Sequence, residues 1–195
     1  MAYILGFFFA DGNIIKTKRG ACFISVYTSD KDLLTAMRKC LVSDHKISSR
    51  RSSSGGLVHR VQTGSKELFN DLVKLGLTPN KSKRMELPAI PEKHFGDFVR
   101  GYFDGDGNVW AGFLNKKRDK PTRAILSAFT CASHGFLRSL HSRLREKGIT
   151  GGSIYRIRSK DCSRLSFSTL DTLKLFAIMY TMPHKLFLNR KKLVF

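Results

Sequence analysis

The chain repeats itself. Gly6-Phe7-Phe8-Phe9-Ala10-Asp11-Gly12-Asn13 returns 95 residues later as Gly101-Tyr102-Phe103-Asp104-Gly105-Asp106-Gly107-Asn108. Both copies close a short apolar segment and end in Asp-Gly-Asn. A chain with such an internal echo is built from two similar units, and each unit delivers one carboxylate to a matching place. A single Asp-Gly-Asn is better read as a turn. In-register duplication reverses that preference.

The charge says what two carboxylates could be for. The 195 residues include 35 Lys plus Arg against 15 Asp plus Glu, a formal net charge of +20 spread along the whole length. Apolar residues make up 42%, so this is a globular chain and not a charged tail. Solubility alone needs far less charge. Neutralising phosphates and releasing their counterions is what such an excess does well, which favours nucleic acid over a membrane surface. No signal peptide or membrane span is expected, since residues 2–10 lack a basic leader and run into Asp-Gly. The expected location is intracellular, with the compartment open. Cys22, Cys40, Cys131 and Cys162 lie far apart and read as thiols of a reducing compartment, not as a zinc or disulfide frame.

Periodicity gives both halves the same order of elements. The first has a helix over 2–10, a strand over 21–27, a helix over 30–42, and strands over 46–51 and 57–63. Ser65 then caps a helix through 75, with Leu68, Phe69, Leu72 and Val73 on its buried face. The second has a helix over 95–105, a strand over 124–130, and a helix marked by Phe136, Leu137, Leu140 and Leu144. A hairpin over 153–158 and 164–168 and a helix over 170–180 follow. The expected class is α/β (α+β), each half running helix-strand-strand-helix-strand-strand-helix. The division is 1–93 and 94–195, with a linker over 84–93 punctuated by Pro88 and Pro91.

Alternation along the second hairpin places Arg156, Arg158 and Lys160 on one face, away from Tyr155 and Ile157. Arg50, Arg51, Arg60 and Arg164 fit the same basic surface. Two-stranded ribbons enter the major groove, and arginine pairs well with guanine edges. A basic insert over 112–122 brings Lys116, Lys117, Arg118 and Lys120, with no counterpart of that length in the first half. Tyr155 and Trp110 read as core residues.

Gly6 and Ala10, like Gly101 and Gly105, are small residues four apart on a helix, a stripe that lets two backbones approach closely. Each motif helix has the other as its natural partner, about a pseudo-twofold axis. Gly12 and Gly107 suit the left-handed position that ends many helices. Asp11 and Asp106 then emerge side by side, against the negative ends of two helix dipoles and against each other. A divalent cation resolves both problems, and an oxygen-rich site suits Mg²⁺.

These segments resemble the motifs of the LAGLIDADG homing endonucleases, in the single-chain form with two copies. The stretch from Phe98 to Gly107 is especially similar, and the duplicated order of elements extends the likeness over nearly the whole chain. The resemblance implies that Asp11 and Asp106 bind the catalytic metal, with the backbone at position 10 unassigned. Asp104 stays outside this pair, because the first motif has Phe9 there. A basic residue near each metal site is also implied: Lys81 and Lys185 are the duplicated candidates, with Lys83 and Lys191 in reserve. A polar position at the inner helix start falls on Thr28 or Ser29, and on Cys131 or Ala132.

The resemblance further implies Mg²⁺, replaceable by Mn²⁺, with Ca²⁺ binding but not supporting turnover. It implies double-stranded DNA as partner, a staggered double-strand break with 3′ overhangs, a long non-palindromic target and a monomeric enzyme. A second reading keeps the fold without the cut, since some relatives act as RNA-splicing maturases or transcription regulators, which adds intron RNA as an alternative partner. The scattered histidines form no zinc nuclease pattern, and no phosphate-binding Gly-Lys-Ser/Thr loop or Gly-x-Ser-x-Gly elbow occurs.

Overall fold

Helix α1 (Ala2–Asp11) is apolar nearly all round, and α4 (Phe95–Asp106) buries Phe95, Phe98, Val99, Tyr102 and Phe103 together with Arg100 and Asp104, so both belong inside the molecule. In the computed structural model they pack against each other at the centre of the molecule. The structure describes every residue except 54, 80–82, 116, 118, 159 and 184. The crossing is set by the small-residue stripe. A Cβ on Gly6 would stand 2.1 Å from the Phe98 carbonyl oxygen, and one on Gly101 only 1.9 Å from that of Tyr3. Only glycine lets the two backbones touch there.

Each central helix opens one unit. The first continues with β1 (Gly12–Lys16), β2 (Cys22–Thr28), α2 (Lys31–Cys40), β3 (Ile47–Arg51), β4 (Leu57–Gly64) and α3 (Lys66–Lys74). The second continues with β5 (Gly107–Leu114), β6 (Thr122–Cys131), α5 (His134–Glu146), β7 (Ser153–Ile157), β8 (Cys162–Phe167) and α6 (Thr169–Tyr180). A short α7 (Asn189–Lys192) follows. The strands form two four-stranded antiparallel sheets, ordered β1-β2-β4-β3 and β5-β6-β8-β7. The expected class and the order of both units are therefore those observed. Ser65 caps α3 by accepting from the Leu68 amide at 3.1 Å, but α3 buries only Phe69 and Leu72 and leaves Leu68 and Val73 exposed.

One core runs through both units. Phe9 of α1 meets Phe98 edge-on at 5.5 Å and stacks on Phe136 of α5; Tyr102 lies 4.6 Å from Phe136, and Phe103 lies 5.4 Å from Phe129 of β6. The segment 84–93 is pinned to this core: Met85 and Ile90 are buried, and the Ser133 hydroxyl donates to the Met85 carbonyl at 2.7 Å.

Gly12 and Gly107 are extended, not left-handed, with φ of −80° and −84°. The chain leaves each central helix directly into the first strand of a sheet, so no reversal is needed. Glycine is required there for space, because a Cβ would fall 2.5 Å from the carbonyl oxygen of Phe8 or Phe103.

Candidate metal centre and nucleic-acid interface

Because α1 and α4 cross at Gly6 and Gly101, their C-terminal ends come together. A Cβ built on Gly105 would stand 2.3 Å from the Ala10 Cβ and 3.2 Å from Asp11 Oδ2. The Asp11 carboxylate thus leans over the residue that precedes Asp106. Both acids are half-buried, and each is its helix's last residue. Gly105 leaves open a cradle that any side chain would fill.

A buried cation sits beside this concentration of negative charge. Lys191, at the last turn of α7, is buried, and its ammonium donates to the carbonyls of Phe103 at 2.7 Å, Asp104 at 2.7 Å, Gly105 at 3.3 Å and Gly107 at 2.6 Å. These are the carbonyls that a helix end leaves without intrahelical partners. Burial pushes the Lys191 ammonium down to about 8, against the pull of Asp104, Asp11 and Asp106. Arg190 bonds Asp30 at 2.9 Å and so ties the β2–α2 turn to the same C-terminal segment.

The acid pair and its glycine cradle offer oxygen donors only, a hard set that fits Mg²⁺ or Ca²⁺. No third His, Cys, Asp or Glu joins them among the described residues.

The sheets begin at this centre, since Asp11 precedes Gly12 and Asp106 precedes Gly107. Residues paired directly across strands share a face. Val26, Val61 and Ile47 are cross-strand partners on the helix-packed face, as are Phe129, Leu165 and Ile154. The opposite, helix-free face carries Asn13, Ser25, Tyr27, Arg60, Gln62 and Arg50 in the first sheet. In the second it carries Asn108, Trp110, Thr130, Arg164, Ser166 and Tyr155. None of the eight strands contains an acidic residue.

Comparison with known proteins agrees with this architecture. Residues 1–75 match the family described as LAGLIDADG-like domain. An uncharacterized protein of Methanocaldococcus jannaschii is 30% identical over 113 residues, 56% of this chain and 39% of that one. The chain thus spans well under half the length of that curated relative. The I-SmaMI LAGLIDADG homing endonuclease, solved bound to cleaved DNA, superposes with a TM-score of 0.64 at 14% identity, over 97% of this chain and 84% of that one. I-SmaMI bound to uncleaved DNA target in the presence of calcium ions gives 0.60 at 14%, over 92% and 84%. Mesophilic variants of the homing endonuclease I-DmoI give 0.63 at 13%, over 93% and 95%. Residues 1–75 thus match a LAGLIDADG-like domain, and the whole chain has the fold of these homing endonucleases.

The remaining expected residues separate by position. Asp104, the other acid of the second motif, is buried in the helix seam. Lys185 is exposed, Lys83 pairs with Asp161 beside the β7–β8 turn, and Lys81 lies outside the described residues. Of the three candidate lysines among the described residues, Lys191 is the one placed against the motif. Thr28 is buried and accepts from the Asp30 amide, Ser29 is exposed, and Cys131 is buried and accepts from the Ser133 amide.

The basic surface needs correction. Arg156 pairs with buried Ser163 and so stands on the helix-packed side, opposite Arg164. Strand β7 ends at Ile157, so Arg158 and Lys160 belong to the turn after it. Arg51 pairs with Leu57, which sets it on the other face from Arg50. A one-residue difference in register moves a strand side chain to the opposite face. Lys117 is exposed between β5 and β6, and Lys116 lies outside the described residues. Trp110 and Tyr155 are not core residues: both stand exposed on the helix-free face. Asn13 and Asn108, the last letter of each motif, stand on this same face, two residues on from each acid.

Proposed function

We propose that this chain is a site-specific, metal-dependent DNA endonuclease that makes a staggered double-strand break in a long non-palindromic target. The carrying observation is the approach of Asp11 to Gly105, the residue before Asp106, at the abutting ends of the two motif helices. The halves 1–93 and 94–195 each supply one acid and one sheet. The DNA complexes of I-SmaMI, one of them with calcium, support duplex DNA and a divalent cation as partners.

Asp11 and Asp106 would hold the cation between the two halves. When bound, Mg²⁺ supplies Lewis-acid polarisation of the phosphate and lowers the pKa of a water nucleophile. The protein's own groups do the rest. Lys191 fixes the carbonyl end of α4 and so the direction in which Asp106 leaves it. The acid-free strands let phosphates approach on both flanks, and Arg50, Arg60 and Arg164 offer fixed donors to base edges or phosphates. Both halves reside in one chain and differ in these side chains, which favours a monomer on an asymmetric site.

Cleavage selection over a randomised duplex library with Mg²⁺ tests the reading. A defined cut site with Mg²⁺ or Mn²⁺, and a bound but uncut complex in Ca²⁺, is expected. Equal cleavage in Mg²⁺, Ca²⁺ and chelator would refute the metal assignment, and no selected site at all would refute the nuclease.

A further inference from the structure

The two strand registers make equivalents of Arg60 and Arg164. Gly12 pairs with Val26, and one step further along β2 Tyr27 pairs with Arg60, which also faces Ser48. Gly107 pairs with Phe129, and one step further along β6 Thr130 pairs with Arg164, which also faces Tyr155. Each arginine therefore occupies the same place relative to the acid of its own half, two strands across the sheet, roughly 10 Å. Arg50 has no such partner, since its equivalent is Ile157.

Their setting suits base reading better than phosphate contact. Strands β4 and β8 are interior strands of their sheets, and both arginines are half-buried on the helix-free face. Arg60 lines a shallow pocket with Ser48 and Gln62, and Arg164 lines one with Trp110, Tyr155 and Ser166. Arg164 Nε is buried without an acceptor, and among the described residues neither guanidinium is hydrogen-bonded or ion-paired to protein. Each keeps its fork of donors free for a ligand, and a guanine edge with O6 and N7 is the base that fork matches. The flanking tyrosines break the likeness: Tyr27 stands on the β2 side of Arg60, Tyr155 on the β7 side of Arg164.

Resting on the proposed DNA reading, we infer that Arg60 and Arg164 are a matched pair of specificity determinants. Each reads a guanine at the same distance from the target's centre. The target then carries one twofold-related guanine pair, one on each strand, within a site that is otherwise asymmetric.

Selection of bound duplexes in Ca²⁺ by the full chain, compared among wild type, Arg60→Ala and Arg164→Ala, tests this. Wild type should select guanine at two positions equidistant from the centre of the footprint. Each variant should lose discrimination at one of them alone, by roughly ten- to hundred-fold. Arg60→Lys and Arg164→Lys, which keep the charge but not the fork, should relax the same positions and guard against misfolding. Uniform loss of affinity with unchanged preferences would make both residues phosphate contacts and overturn the inference, as would relaxed positions at unequal distances. A wild type that selects no duplex removes the DNA reading too; one that selects a site whose guanines the variants still demand removes this inference alone.

Discussion

Tyr3 and Asp104 meet across the seam between the motif helices, the tyrosine hydroxyl donating to Asp104 Oδ2 at 2.6 Å although the residues stand 101 positions apart. The Leu188 amide donates to the same oxygen at 2.9 Å, so one carboxylate joins α1, α4 and the C-terminal segment. Burial pushes the Asp104 carboxyl above the usual carboxylate range and the Tyr3 phenol upward as well. This acid of the second motif serves the seam, while Asp106, two residues on, ends the helix at the proposed metal centre. Tyr3→Phe should cost about 1–2 kcal/mol, and Asp104→Ala, which strands two buried donors, about 3 kcal/mol. Urea melts of the two variants check both figures.

For Asp11 and Asp106 the expected signature is opposite. Asp11→Asn or Asp106→Asn keeps side-chain size and removes the charge that draws metal, so double-strand cleavage should be abolished. DNA affinity should hold or rise, because a negative charge facing phosphate is gone. Relief of the unfavourable helix-end position should leave stability unchanged or higher by about 0.5 kcal/mol. Gel shifts, cleavage assays and thermal melts on the same preparations decide it; wild-type cutting by either variant counts against the assignment.

The seam itself admits no added atom. Gly101→Ala places a methyl 1.9 Å from the Tyr3 carbonyl oxygen, and Gly6→Ala places one 2.1 Å from that of Phe98. Backbone on both sides cannot give way as a flexible side chain would. Each substitution should cost about 3 kcal/mol or more, read as a drop in the urea midpoint.

Lys191 and Lys185 should part company. Lys191→Met leaves the α4 terminal carbonyls without their donor and is expected to destabilise by about 2 kcal/mol and to slow cleavage. Lys185→Met alters an exposed side chain and should stay within about 0.5 kcal/mol of wild type. Parallel melts of the two variants give the comparison.

The Asp30–Arg190 pair carries a pH signature. Its hydrogen bond from Arg190 holds the Asp30 carboxyl below the usual carboxylate range. The unfolded chain therefore takes up that proton at higher pH than the native one. The pair's contribution, about 0.5 kcal/mol, is full above about pH 4 and fades as pH falls through the lower native value. Asp30→Asn should thus be less stable than wild type at pH 7, with the gap closing toward pH 3.

The repeat, the two units, the small-residue stripe and the acid pair were legible in the primary structure, because local patterning dictates them: helix period, strand alternation, and glycine where backbones must touch. Those features rest on neighbours in sequence or on a motif that names its own partner. Which basic side chains face outward was not legible. Arg156 and Arg164 fall on opposite faces of one sheet, and Arg51 opposite Arg50, because strand ends and cross-strand register fix the face and a step of one residue inverts it. Nor could periodicity single out Lys191 from the other lysines, or expose Trp110 and Tyr155. Those assignments depend on how a four-residue helix at the C-terminus docks against α4, and on which sheet face the helices cover. Such contacts span 84 to 101 residues, and only the packed chain brings them together.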